Sequence, residues 1–274
     1  MKTASRTFGI YKVSILHDGV LKPPSNVLVH PEGQRALEKA LDGFDASELK
    51  MMVNCFLLEG PDEIILIDTG VGSFWGEGFG QARDALKAAG VNPQDVKKVI
   101  VTHVHGDHVA GLFEAGTLYY PNAEVYVPDV DLNHFSDKAI MAATPEQRRG
   151  GFTMADLLNT HYGPRLQRFQ EGKLLDEIEI IQLPGHTPGH VGCLIGRDGD
   201  QLLILADGLH LAELQPRDPN ISLVYDLDMD NAISSRKRAL SRAADEGWVI
   251  AGSHLRGFSR VERKGEGFTL EPLA

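Results

Sequence analysis

The chain has 274 residues, enough for one large domain with a substantial core. Hydrophobic residues make up 42% and charged residues 24%, a globular composition that argues against disorder. Lys and Arg number 27 against 38 Asp and Glu, a formal charge of −11, which argues against a nucleic-acid partner because such partners require a basic face.

No stretch approaches the roughly 18 apolar residues of a membrane span. The opening MKTASRTFGIYKVSIL lacks the long apolar run of a secretory signal. The expected location is therefore cytoplasmic, with no membrane partner. In chain order, residues 8–16 read as a strand, and 18–50 as irregular chain with a short helix near 34–41. MMVNCFLLEG and EIILIDTG are two β-rich runs separated by GPD, a hairpin signal. Residues 78–90 have helical spacing and end on glycine, a C-cap choice. VKKVIVTH and AEVYVP are short strands. Residues 129–138 and 144–161 read as helices, with Pro145 at a favourable first position after Thr144. EIEIIQL, VGCLIG and QLLIL are strands, 229–246 a helix, WVIAGSH a strand, and the tail is β-like. Cys55 and Cys193 lie in apolar runs and read as small buried hydrophobes rather than a disulfide pair. Strands in pairs, then alternating with helices, predict a layered α/β fold with helices outside two sheets.

Polar clusters follow four of the strands. They are THVHGDH after VKKVIV, PGHTPGH after EIIQL, ADG after LLIL and GSH after WVIA. Loops at one sheet edge would bring together His103, His105, Asp107, His108, His186, Asp207 and His254. Seven nitrogen and oxygen ligands exceed the three that a catalytic zinc takes from protein, and suit two ions sharing a carboxylate. Imidazole and carboxylate without thiolate fit Zn, Fe, Mn or Co. His17, His30, His134 and His161, outside these clusters, read as ordinary core or surface histidines.

THVHGDH resembles the H-x-H-x-D-H signature of the metallo-β-lactamase superfamily. DTG at 68–70, GHTPGH at 185–190, Asp207 and His254 match its other motifs in order, so the resemblance covers about residues 50–255. It implies an αββα four-layer sandwich, read as a single domain over 1–274 with a helical insertion at 129–170 near the active site. It implies two divalent ions, zinc first, with Fe, Mn or Co also compatible. One would take His103, His105 and His186, the other Asp107, His108 and His254, with Asp207 bridging. Asp68 and His190 match supporting positions behind the ligands.

Within the superfamily, VNCFLLEGPDEIILIDTGVG, GHTPGHVGCLI and the stretch from Leu214 to Leu255 resemble the quorum-quenching lactonase and methyl-parathion-hydrolase-like branch. That resemblance implies a hydrolase for a small-molecule lactone or carboxylic ester, attacked by a metal-bridging hydroxide. Asp107 would pass a proton to the leaving group. A homodimer is expected by analogy with the branch. Phosphotriester hydrolysis, glyoxalase-II-like thioester hydrolysis and persulfide oxidation are the alternatives. Many lactonases carry Tyr three residues after the bridging Asp. Here the position is His210, which can donate a hydrogen bond or move a proton near neutral pH and is counted with Asp107 as catalytic. In the 129–170 segment, Met141, Phe152, Met154, Leu157, Leu158, Tyr162 and Phe169 recur at loosely helical spacing. They either pack helices on the body or line an apolar cleft.

Overall fold

Side chains point alternately to the two faces of each strand, and that alternation builds the layers. The computed structural model describes residues 4–197 and 199–273. One seven-stranded sheet contains β1 (Ser5–Phe8), β2 (Tyr11–Leu21), β3 (Met51–Glu59), β4 (Ile64–Ile67), β5 (Val96–Ile100), β6 (Glu124–Pro128) and β7 (Leu166–Phe169), adjacent in that order. The second contains β8 (Gly172–Leu175), β9 (Ile178–Gln182), β10 (Val191–Arg197), β11 (Asp200–Ile204), β12 (Val249–Ala251), β13 (Ser259–Lys264) and β14 (Gly267–Pro272), again in chain order. The first four strands are antiparallel. β4, β5, β6 and β7 run parallel, and so do β11 and β12.

Parallel neighbours require crossovers, and helices supply them. α2 (Gln81–Ala88) joins β4 to β5, and α7 (Met229–Glu246) lies between β11 and β12. α4 (Asp129–Ser136), α5 (Lys138–Ala143) and α6 (Gly150–Tyr162) join β6 to β7. α1 (Gln34–Ala40) sits in the connection after β2, and α3 (Gly106–Val109) is a single turn after β5.

Phe56, Leu58, Ile65 and Ile67 of the first sheet meet Val191, Cys193, Ile195, Leu202 and Ile204 of the second in a shared core. Their neighbours Cys55, Leu57 and Leu66 face the opposite way, against Leu86, Leu132, Phe152 and Leu158 of the helices. Leu194, Leu203 and Ile250 pack on Ala239, Leu240 and Ala243 of α7. The result is helix, sheet, sheet, helix. Residues buried on both faces explain why these strands read as unbroken apolar runs. Phe56 is fully buried between the sheets. Phe56→Ala is expected to cost about 3–5 kcal/mol, read as a lowered denaturant midpoint at unchanged slope.

Three local expectations shift. β2 continues to Leu21, through a register slip between His17 and Gly19. There Asp18 turns inward and accepts the Val71 and Ala82 amides at 2.8 and 3.1 Å, so a polar residue interrupts a pattern that the backbone does not. The helix expected at 129–138 breaks at Asp137, which caps α5 by accepting from the amides of Ala139 and Ile140. The next begins at Gly150 rather than 144, after a 3-10 turn over Glu146–Arg148. Phe152, Met154, Leu158 and Tyr162 are buried against the first sheet, so they pack helices on the body. Both cysteines are free and buried. No helix among the described residues is long and apolar enough to cross a membrane.

Candidate metal centre

Each ligand loop leaves the end of a strand, and the parallel pairs send those ends to the same edge. β5 delivers His103, His105, Asp107 and His108. β9 delivers His186, β11 Asp207 and His210, and β12 His254. The loops are tied across the two sheets: the Val191 amide donates to the Thr102 carbonyl at 3.1 Å, and Asn54 donates to the carbonyls of Gly252 and Leu255.

Two groups that could hold an ion match the expected sets, one of His103, His105 and His186, the other of Asp107, His108, Asp207 and His254; His186, Asp207 and His210 form a third. In the first, His103 Nε2 is 3.1 Å from His105 Nδ1, which is 3.0 Å from His186 Nε2. An ion with tetrahedral ligands at about 2.1 Å would space them by roughly 3.4 Å, close to what is seen. In the second, Asp207 Oδ1 lies 3.1 Å from His108 Nε2 and Asp207 Oδ2 lies 3.1 Å from His254 Nε2. Asp207 Oδ2 is also 3.2 Å from His186 Nε2, so this one carboxylate touches both sets. Asp107 Oδ2 stands 3.6 Å from His108 and 3.8 Å from His254. All seven expected ligands converge.

The outward nitrogens show why the inner ones are free. His108 Nδ1 donates to Asp68 at 2.7 Å, and His254 Nδ1 donates to the Met52 carbonyl at 2.5 Å. His186 Nδ1 donates to Asp226 at 2.9 Å. His103 Nδ1 lies 3.2 Å from the Thr102 hydroxyl, which itself donates to Asp68 at 2.8 Å. Each of these partners fixes a ring and turns Nε2 inward, the orientation a metal needs. Burial, crowding by neighbouring imidazoles and the consequent desolvation hold His103 and His105 well below the usual histidine range, so they stay neutral. For His108, burial is outweighed by Asp207, Asp68 and Asp107, which hold a proton on it well above that range. The buried His108 Nε2 and Asp207 Oδ1 have no hydrogen-bond partner. A cation would replace that proton and satisfy both atoms, so the donor set fits divalent metal.

Two supporting residues stand where the motif places them. Asp68, fully buried and at φ 57°, also accepts the Thr102 amide at 2.9 Å. His190 donates from Nδ1 to the Leu183 carbonyl and accepts the Asp207 amide at 3.1 Å. Burial pushes His190 down to about 3, so it works as a neutral strut. The strut matters because Ala206, just before Asp207, has φ 48°, a conformation that a non-glycine residue holds only under external restraint.

Sequence reading missed three buried charges. Asp226 receives His186, the Ser222 hydroxyl and the Leu223 amide, and faces Arg236 at 3.6 Å. Arg236 donates to the carbonyls of Gly208, Pro219 and Ile221, which fixes the loop behind His210. Asp131 of α4 is fully buried and accepts the Val104 amide, the Thr187 hydroxyl and the Gly189 amide at 2.8, 2.9 and 2.6 Å. It thereby links the THVHGDH and PGHTPGH loops. A side chain at Gly189 would lie 2.4 Å from the Asp131 backbone nitrogen, which accounts for that glycine.

A cavity of about 610 Å³ opens above the ligands. His105, Asp107, His186, Asp207, His210 and His254 form its floor, and Leu21, Met51, Trp75, Val224, Tyr225 and Leu227 its apolar walls. From the 129–170 segment only Gln147, Arg148, Gly150 and Gly151 reach it, among the described residues. His210 is buried, stacks on the His254 ring at 4.9 Å and turns Nε2 to within 3.3 Å of Asp207.

The sequence profile described as the metallo-beta-lactamase superfamily matches residues 50–254. The chain belongs to this superfamily. Among solved structures, the superfamily hydrolase AbOPH is 25% identical, with a TM-score of 0.89 over 99% of this chain and 97% of that one. AidC, described as a dizinc quorum-quenching lactonase in complex with its product, is 26% identical, with a TM-score of 0.87 over the same shares. The metallo-β-lactamase fold expected from the motifs is therefore the fold observed. The protein YobT of Bacillus subtilis (strain 168) is 28% identical over 162 residues, 58% of this chain and 63% of that protein. The chain thus spans less than two thirds of this curated relative's length.

Proposed function

We propose that this superfamily member is a metal-dependent hydrolase that uses two divalent ions, zinc first, to open a lactone or cleave a carboxylic ester. The observation that carries this reading is Asp207, whose two oxygens touch both ligand sets beneath an apolar cavity. The likeness to AidC over nearly its whole length supports it.

Bound there, the ions would acidify a water and polarise the substrate carbonyl. The protein's own part is to hold the ester against them. The water oxygen joins the acyl carbon, the acyl–oxygen bond breaks, and the leaving oxygen takes a proton. Asp107, which lines the cavity, would take the proton that the attacking water loses and pass it to the leaving oxygen. Burial pushes His210 down to about 4 despite the pull of Asp207 beside it, so it enters the reaction as a neutral imidazole. In that form it can donate a hydrogen bond to the substrate carbonyl or to Asp207. The apolar walls exclude water and hold the rest of the substrate.

His210→Phe is expected to retain full metal content while turnover falls by about a hundredfold or more. Metal analysis beside steady-state kinetics checks both halves; lost metal would make His210 a ligand, since its Nε2 also groups with His186 and Asp207. The reading as a whole is tested by following acid release in a pH-stat from an acyl-homoserine lactone, an aryl ester and a phosphotriester. Turnover of lactone or ester that chelator abolishes and metal restores is expected. Turnover that survives chelation overturns the two-metal mechanism, and turnover of the phosphotriester alone overturns the substrate class.

A further inference from the structure

We infer that the cavity is built for an ester or lactone that carries a second, negatively charged group, held by Lys22 and Arg148; this rests on the hydrolase reading above. Both residues line the cavity, although they come from distant parts of the chain. Lys22 follows the end of β2, and Arg148 ends the 3-10 turn before α6.

Neither side chain has a hydrogen-bond or ion-pair partner among the described residues. The neighbouring Arg149 shows the contrast. Its guanidinium donates to the carbonyls of Thr144 and Ala142 and so braces its own turn. Arg148 is left for something else.

Charge sharpens the point. The only acids lining the cavity, among the described residues, are Asp107 and Asp207, and both belong to the ligand sets. Two divalent ions would carry more positive charge than those two carboxylates, with Asp68 and Asp226 behind the ligand histidines offsetting part of the excess. The cavity wall itself carries two cations and, among the described residues, no acid beyond those two candidate ligands, in a chain whose formal charge is −11. A cleft of one sign with apolar walls focuses its field on a ligand of the opposite sign. A neutral lactone would leave Lys22 and Arg148 unused. A carboxylate would receive charge-assisted hydrogen bonds from them while the scissile carbonyl sits at the metal floor.

The test compares two aryl esters of similar acyl length, the neutral 4-nitrophenyl butyrate and the anionic mono-4-nitrophenyl glutarate. The metal-loaded protein is expected to favour the anionic ester by about tenfold in kcat/KM. That ratio should collapse in K22M/R148M, and should shrink as salt screens the exposed pair. Binding is read separately from turnover, through fluorescence of Trp75, which lines the cavity and is 46% exposed. The anilide of glutaric acid should bind about tenfold more tightly than butyranilide, and K22M/R148M should remove the difference. If both esters turn over with equal kcat/KM, or the ratio survives K22M/R148M, the charged pocket is wrong and the hydrolase reading stands. If neither ester turns over but the anilide preference holds and depends on the two cations, the hydrolase reading fails instead.

Discussion

If the proposed two-ion site is right, Asp207→Ala is expected to strip the protein of both ions and to lower kcat/KM by at least about a thousandfold. The reason is the number of atoms that depend on this one carboxylate. Its oxygens lie within 3.1 to 3.3 Å of His108, His186, His210 and His254, and 3.8 Å from His103. Replacing a single histidine would damage one candidate set; removing Asp207 leaves Asp107 as the only carboxylate among the expected ligands to balance two dications. The burial of the site makes an unbalanced cation there costly. Metal analysis after dialysis should find less than one equivalent per chain. Two tightly held equivalents in Asp207→Ala would refute the shared-ligand arrangement. His103→Ala should lose metal and most activity as well, but it leaves the Asp107, His108, Asp207 and His254 set intact.

The seven candidate ligands were legible as a converging cluster because metal chemistry restricts residue type and because each follows a recognisable strand. The fold was legible for a related reason. Strands such as EIILI and QLLIL are buried on both faces, so they appear as apolar runs whatever surrounds them. Residues whose role comes from packing were harder to find. Asp226 lies among Asp226, Asp228 and Asp230, and nothing local separates the one that orients His186 from Asp228, which caps α7. Arg236 sits in SSRKRALSR, where a buried arginine looks like its exposed neighbours. Lys22 and Arg148 acquire meaning only from a cavity whose walls come from elsewhere in the chain. Asp131 did leave a trace. It precedes Phe135 by one helical turn, on the face that also carries Leu132, and all three are buried. An acid on the apolar face of a helix must find partners, and that rule would have flagged it.

Asp131→Asn should weaken metal binding by about 10- to 100-fold, measured by competition with a chromogenic chelator, while the protein stays folded. Asp131 presents only acceptors, and all three of its partners are donors: Val104 N–H, the Thr187 hydroxyl and Gly189 N–H. An asparagine keeps one acceptor oxygen and turns an NH2 group toward a donor, so at least one buried amide or hydroxyl loses its partner. That loss costs about 1–3 kcal/mol of stability, and a lowered melting temperature of the metal-free protein would report it. The larger consequence follows from what the bonds join. Val104 lies between the ligands His103 and His105, and Thr187 follows His186 directly. Asp131 therefore sets the distance between the two loops that supply the first ligand set. Thr187→Val separates the two effects, because it removes one bond and leaves both amides held. It should lower metal affinity less than Asp131→Asn, with little change in melting temperature. If Asp131→Asn melts early yet binds metal as tightly as the parent protein, Asp131 serves only to hold the fold together.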